Sequence, residues 1–255
     1  MRATRALAAL GGSVTAAAMI ATPLMPKGGA QRRALSSAVV VAMATTTAAN
    51  AGARWGVARA ATALGAVGIT TGVVERVGTA TGVPFGRYEY TGALRPQLGH
   101  VPALVPLAWF AMAVPAREVA HAALGPRSTP GARAVLGAAA LTAWDLFLDP
   151  QMIGEGYWIW ARRGIYRGVP LTNYVGWFAT GLGVMAILER ALPAAGSVEA
   201  ASERPDFSLI AMYGFVGLME TIGFARYFRD PVVATIGGVG MLPLAAAAIV
   251  RRVTR

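Results

Sequence analysis

The chain has 255 residues, 55% of them hydrophobic and 14% charged, with a net charge of +11 and no cysteine. That balance lies far from a soluble domain's, and the lack of thiols excludes disulfides, thiolate catalysis, iron–sulfur clusters and cysteine-based zinc sites together. The charge does not point to nucleic acid, because arginine is scattered singly or in pairs over nearly every link instead of forming one stripe.

Taken in chain order, the apolar residues form eight blocks: Ala6–Met25, Ala34–Ala53, Val57–Val77, Val101–Leu124, Val135–Asp149, Val169–Leu188, Phe207–Phe224 and Pro231–Val250. Most approach the roughly 20 residues that a helix needs to cross about 30 Å of hydrocarbon. The expected fold is therefore all-α, a polytopic transmembrane helix bundle of about seven to eight spanning helices, forming one membrane domain over residues 1–255. Arg2 and Arg5 precede the first block as in a signal peptide, but the apolar run continues past Ile20 with no small-x-small site before Arg32, so it is read as the first span. Basic residues are nearly balanced between alternate links, and the positive-inside rule leaves the orientation open. Pro102, Pro106 and Pro115 are expected to kink the fourth helix.

Two links stand out, Gly78–His100 and Gln151–Gly168, both long, aromatic and glycine-rich. Ala191–Asp206 and Gly125–Gly131 read as plain solvated loops.

Asp145 and Asp149 carry the most information. They sit one helical turn apart in an otherwise apolar stretch, where a charged side chain costs roughly 2.5–3.5 kcal/mol on insertion scales and so faces a bundle interior or a polar pocket. At i and i+4 they share a helix face. Two carboxyls in an apolar site do not readily both ionise, so the pair is expected to titrate as a unit and hold one proton. Pro150 is expected to end the helix at Asp149. A protonated carboxylic acid in a dry pocket is what general-acid chemistry on an alkene requires. The structural alternative is an ion pair of Asp145 with Arg162 or Arg163.

Glu75 and Glu220 also lie at membrane depth, as further acids or, for Glu220, as an ion pair with Arg226. Glu118, beside Arg117, reads as an ordinary interfacial charge. Phe85, Tyr88, Tyr90, Trp109, Tyr157, Trp158, Trp160, Tyr166, Tyr174 and Trp177 gather around the two long links, either as an interfacial belt or as aromatic faces that stabilise cations and pack on extended π-systems. His100 and His121 have no partner at ligand spacing, and no metal site is expected.

Four ordered motifs fall in this central region: V-P-F-G-R-Y-E-Y-T (83–91), V-P-x-L-V-P-L-A-W-F (101–110), A-W-D-L-F-L-D-P-Q-M (143–152) and G-x-Y-x-G-V-P-L-x-N-Y-x-G-W (164–177). Together they resemble the carotenoid 1,2-hydratase family of integral membrane proteins. The resemblance implies addition of water across the terminal 1,2 double bond of an acyclic carotenoid end group, giving a tertiary alcohol, with no cofactor. The chemistry of the residues, and not a role carried over from the family, makes Asp145 the expected proton donor, Asp149 its pKa-tuning partner or a water-orienting base, and Glu75 or Glu89 a second candidate. Phe85, Tyr88, Tyr90, Trp109 and Trp177 would line the pocket, and Asn173 would hold the water. The implied partners are an acyclic carotenoid in the bilayer, membrane lipid and other membrane enzymes of the same pathway, with no nucleic acid, in the cell (cytoplasmic) membrane. Two rivals stay open. D-x-x-x-D at Asp145 and Asp149 resembles one acidic motif of intramembrane prenyltransferases, and buried acids also serve transporters or lipid-binding membrane proteins.

Overall fold

The structure is a computed structural model that describes residues 2–193 and 205–254. Eight helices follow one another: α1 (Arg2–Ala21), α2 (Ala30–Trp55), α3 (Val57–Thr81), α4 (Leu104–Leu124), α5 (Pro130–Glu155), α6 (Leu171–Ala191), α7 (Phe207–Arg226) and α8 (Pro231–Val253). All but α4 have the length and apolar composition to cross a membrane, and the chain is a multi-pass membrane protein. Most of the link Ala191–Asp206 lies outside the described residues.

α4 occupies the centre, packed against α2, α3, α5, α6, α7 and α8. Its residues from Trp109 to Ala120 are all buried. A helix enclosed by protein on all sides has no lipid-facing stripe to keep apolar, so it can carry charged side chains where a neighbouring helix pairs them. Arg117 and Glu118 within it are fully buried, which corrects the reading of Glu118 as an interfacial charge. Arg117 donates to Glu118 at 2.9 Å and to Glu189 of α6 at 2.7 Å, while Arg133 of α5 also pairs with Glu189. The Glu118 carboxylate further accepts the Asp206 backbone N–H at 2.7 Å. Three helices and the start of α7 are thus tied together at one end of the bundle, with each buried charge facing an opposite one.

The prolines behave differently from expectation. Pro102 lies ahead of α4 in a short strand and Pro106 in its first turn, where a missing N–H removes no intrahelical bond. Pro115 is interior. It frees the carbonyl of Ala111, and the Thr47 hydroxyl of α2 donates to that oxygen at 2.9 Å. Pro150 likewise does not end α5, which runs one further turn to Glu155 and closes on Gly156 in the left-handed region (φ 72°). Here the freed carbonyl is that of Leu146, and the Tyr166 hydroxyl donates to it at 2.9 Å. In a bilayer a proline-broken ladder persists where a neighbouring side chain re-satisfies the oxygen.

Both long links are ordered, and they meet. β1 (Tyr88–Tyr90) pairs antiparallel with β4 (Trp158–Trp160), placing Tyr88 opposite Trp160, Glu89 opposite Ile159 and Tyr90 opposite Trp158. Two further short strands, β2 (Gln97–Leu98) and β3 (Val101–Pro102), close the first link onto itself. Since strand side chains alternate faces, Tyr88, Tyr90, Trp158 and Trp160 turn toward the helices while Glu89 and Ile159 turn out.

Candidate active site

Beneath the β1–β4 ribbon, between α2, α3, α4, α5 and α6, lies a cavity of about 80 Å³. Aromatic rings form most of its wall. Trp109 and Trp177 stack at 3.9 Å with planes 15° apart, Phe85 meets Tyr88 edge-on at 6.1 Å, and Tyr90 meets Trp158 edge-on at 5.6 Å. Gly176 of α6 allows the first link to come this close, because a Cβ there would stand 2.7 Å from the Phe85 ring and 2.8 Å from the Pro84 carbonyl oxygen.

Two acidic arrangements share this cavity. On α3, Glu75 accepts three hydrogen bonds: from the hydroxyls of Tyr88 and Tyr90, the latter at 2.8 Å, and from the Trp109 indole N–H at 3.1 Å. Three donors around one buried carboxyl suit an acceptor carboxylate. Burial, and after it the Glu75 carboxylate, hold both phenols well above the usual tyrosine range, so they remain donors.

On α5, Asp149 accepts the Trp158 indole N–H at 2.9 Å on one oxygen and the Asn173 amide on the other. The same amide nitrogen donates to Asp145 at 2.7 Å. Asn173, on the first turn of α6, therefore bridges two carboxyls one turn apart on α5. Asp149 borders the cavity and Asp145 does not; Asp145 is fully buried behind it, and its Oδ1 is without a hydrogen-bond partner among the described residues.

The structure thus brings together Asp145, Asp149, Glu75, Phe85, Tyr88, Tyr90, Trp109, Asn173 and Trp177, from segments a hundred residues apart. Glu89 is not brought in: it is exposed on the outer face of the ribbon. Arg162 and Arg163 are exposed as well, and the described partner of Asp145 is Asn173, not either arginine. Among the described residues Glu220 forms no ion pair with Arg226, and it borders a different cavity. Trp158 as a donor to Asp149, and the bridging use of Asn173, were not readable from spacing. The alternation Y-E-Y against W-I-W was the available signal for the inward rings.

A multi-pass bundle enclosing an acid-bearing aromatic cavity is the class of protein defined here. Residues 33–242 match the family described as carotenoid biosynthesis protein, and the chain belongs to that family. It is also similar to the bisanhydrobacterioruberin hydratase of Haloarcula japonica, 30% identical over 170 residues that make up 64% of this chain and 58% of that protein. The matched part is thus less than two thirds of the relative's length. No solved structure gives a significant match.

Proposed function

We propose that this chain is a carotenoid hydratase, which adds water across the terminal C1=C2 bond of an acyclic carotenoid end group to give a tertiary alcohol, without a cofactor. One observation carries the reading: Asp149 faces an aromatic cavity, is linked through Asn173 to Asp145 behind it, and shares that cavity with a Glu75 held by three donors. The name of the Haloarcula relative supports the same class of reaction.

Two carboxyls bridged by one amide in an apolar enclosure share a proton more readily than they carry two charges. Asp149 delivers that proton, since it borders the cavity, and Asp145 is the reserve, which reverses the order expected from the sequence. The alkene π electrons take the proton at C2, a C–H bond forms, and a tertiary cation is left at C1. The stacked faces of Trp109 and Trp177, together with the Glu75 carboxylate, stabilise the cation. A water oxygen bonds to C1 and gives a proton to the Asp149 carboxylate, so the acid is regenerated and no electrons are gained or lost. Of the substrate, a cavity of this size takes only the end; the rest of the chain lies in the bilayer of the cytoplasmic membrane, near the other membrane enzymes of the pathway.

The test is expression in a host that accumulates lycopene, with carotenoids separated and weighed by mass spectrometry. A hydrated acyclic product is expected from the wild type, and none from Asp149→Asn or Asp145→Asn at equal protein level. Full alcohol yield from Asp149→Asn, or none from the wild type, overturns the reading.

A further inference from the structure

Hydration consumes one water per turnover, yet the cavity at Asp149 offers little to hold one. Most of its wall is aromatic or aliphatic, and Glu75, Asp149 and Asn173 are already engaged with their own partners. Of its lining residues Trp160 has a buried indole N–H without a partner among the described residues, short of the two to four polar groups that hold a water. A second cavity, also about 80 Å³, lies next to it between the end of α1, α2, α5 and α7. Its wall carries four polar side chains: Thr22, Ser36, Gln151 and Glu220. The hydroxyls of Thr22 and Ser36 donate to the Ala18 and Arg32 carbonyls at 2.7 and 3.0 Å; the Thr22 oxygen is left to accept, and that of Ser36 already accepts one bond, from Tyr157. Gln151 and Glu220 have no hydrogen-bond partner among the described residues. A carboxyl at membrane depth with no cation beside it marks function by default.

The two cavities share Ser36, Val40, Leu148 and Met152, so the partition is one side chain thick. A pair of hydroxyls spans it: Tyr157, which borders the first cavity, donates to Ser36 at 3.3 Å. Met152 is flexible enough to swing aside. A water settles where two to four polar groups surround it, and the second cavity has the room and the polar wall to hold water.

We infer that the cavity beside Glu220 is a water store that feeds the hydration site past Ser36 and Met152. Glu220 and Gln151 hold the water, and the Ser36–Tyr157 pair passes it on. The inference rests on the hydratase reading, and the experiment separates the two. Purified wild type and the variants Glu220→Leu, Glu220→Gln and Ser36→Ala are incubated with acyclic carotenoid in D2O. The alcohol and the deuterium in recovered alkene are both measured. A cation that meets no water loses a proton from C2 or a neighbouring methyl to the Asp149 carboxylate and returns as an alkene carrying deuterium.

Glu220→Leu and Ser36→Ala are expected to form alcohol at least tenfold more slowly while deuterium still enters the alkene, and Glu220→Gln to recover most of the alcohol. Alcohol formed by Glu220→Leu at the wild-type rate overturns the inference. So does loss of alcohol and exchange together in both apolar variants with an unchanged size-exclusion profile, which assigns the cavity to the substrate's chain. Wild type that yields neither alcohol nor deuterated alkene refutes the hydratase reading, and the water store with it.

Discussion

Gly176→Ala tests whether the cavity wall depends on the close approach of the first long link to α6. The added methyl would stand 2.7 Å from the Phe85 ring and 2.8 Å from the Pro84 carbonyl oxygen. To reach an ordinary contact of 3.4 Å the Pro84–Phe85 peptide has to retreat by roughly 0.6 Å, and backbone gives way less readily than the end of a side chain. Overpacking of this kind costs about 1–3 kcal/mol, and in a chain of this size each kcal/mol lowers Tm by about 2–4 °C. Phe85 also moves with the link, which disturbs its contacts with Tyr88 and Trp109, whose rings it meets at 6.1 and 6.5 Å. The assay is thermal unfolding in detergent followed by tryptophan fluorescence, alongside alcohol yield. Gly183→Ala on the same helix, where a Cβ meets nothing within 4 Å, is the control. An unfolding midpoint for Gly176→Ala equal to that of the control refutes the reasoning.

Glu189→Gln leaves Arg117 and Arg133 short of a carboxylate and is expected to destabilise by about 3–5 kcal/mol, read as a lower Tm and a lower yield of folded protein. Thr47→Val strands the Ala111 carbonyl that Pro115 has already freed; a loss of about 1–3 kcal/mol is expected in the same melting experiment. Glu75→Gln removes the charge opposite the cation and should slow alcohol formation by about 10²–10³-fold, with the size-exclusion profile unchanged. Glu89→Gln, on the exposed face of the ribbon, should leave alcohol yield at the wild-type level.

Hydropathy made eight helices legible, because a span of lipid-facing residues has to be apolar whatever else it does. It misplaced the end of α5, since a proline stops a helix only when nothing repairs the freed carbonyl, and the repair comes from Tyr166, sixteen residues on. It also misjudged Glu118: a charge at a solvated helix end and a charge buried against Arg117 look alike until the neighbours are known. Asp145 and Asp149 were readable as a pair because i and i+4 is local geometry. That Asn173 bridges them, and that Glu75 meets two tyrosines of the following link, depends on how distant helices pack, which no spacing encodes. Glu89 was separable in principle, because Tyr88 and Tyr90 alternate with it, but only once the link is known to be a strand.

The sequestered charges of α4 constrain how the molecule is made. Arg117 and Glu118 would be costly for a lone helix in lipid; α2, made earlier, offers Trp55 to Arg117 and Arg54 to Glu118, but the second carboxylate of Arg117, Glu189, belongs to a segment synthesised later. The charge set of the fourth helix is therefore complete only once the sixth has arrived, which favours insertion of the central spans as a group over one helix at a time.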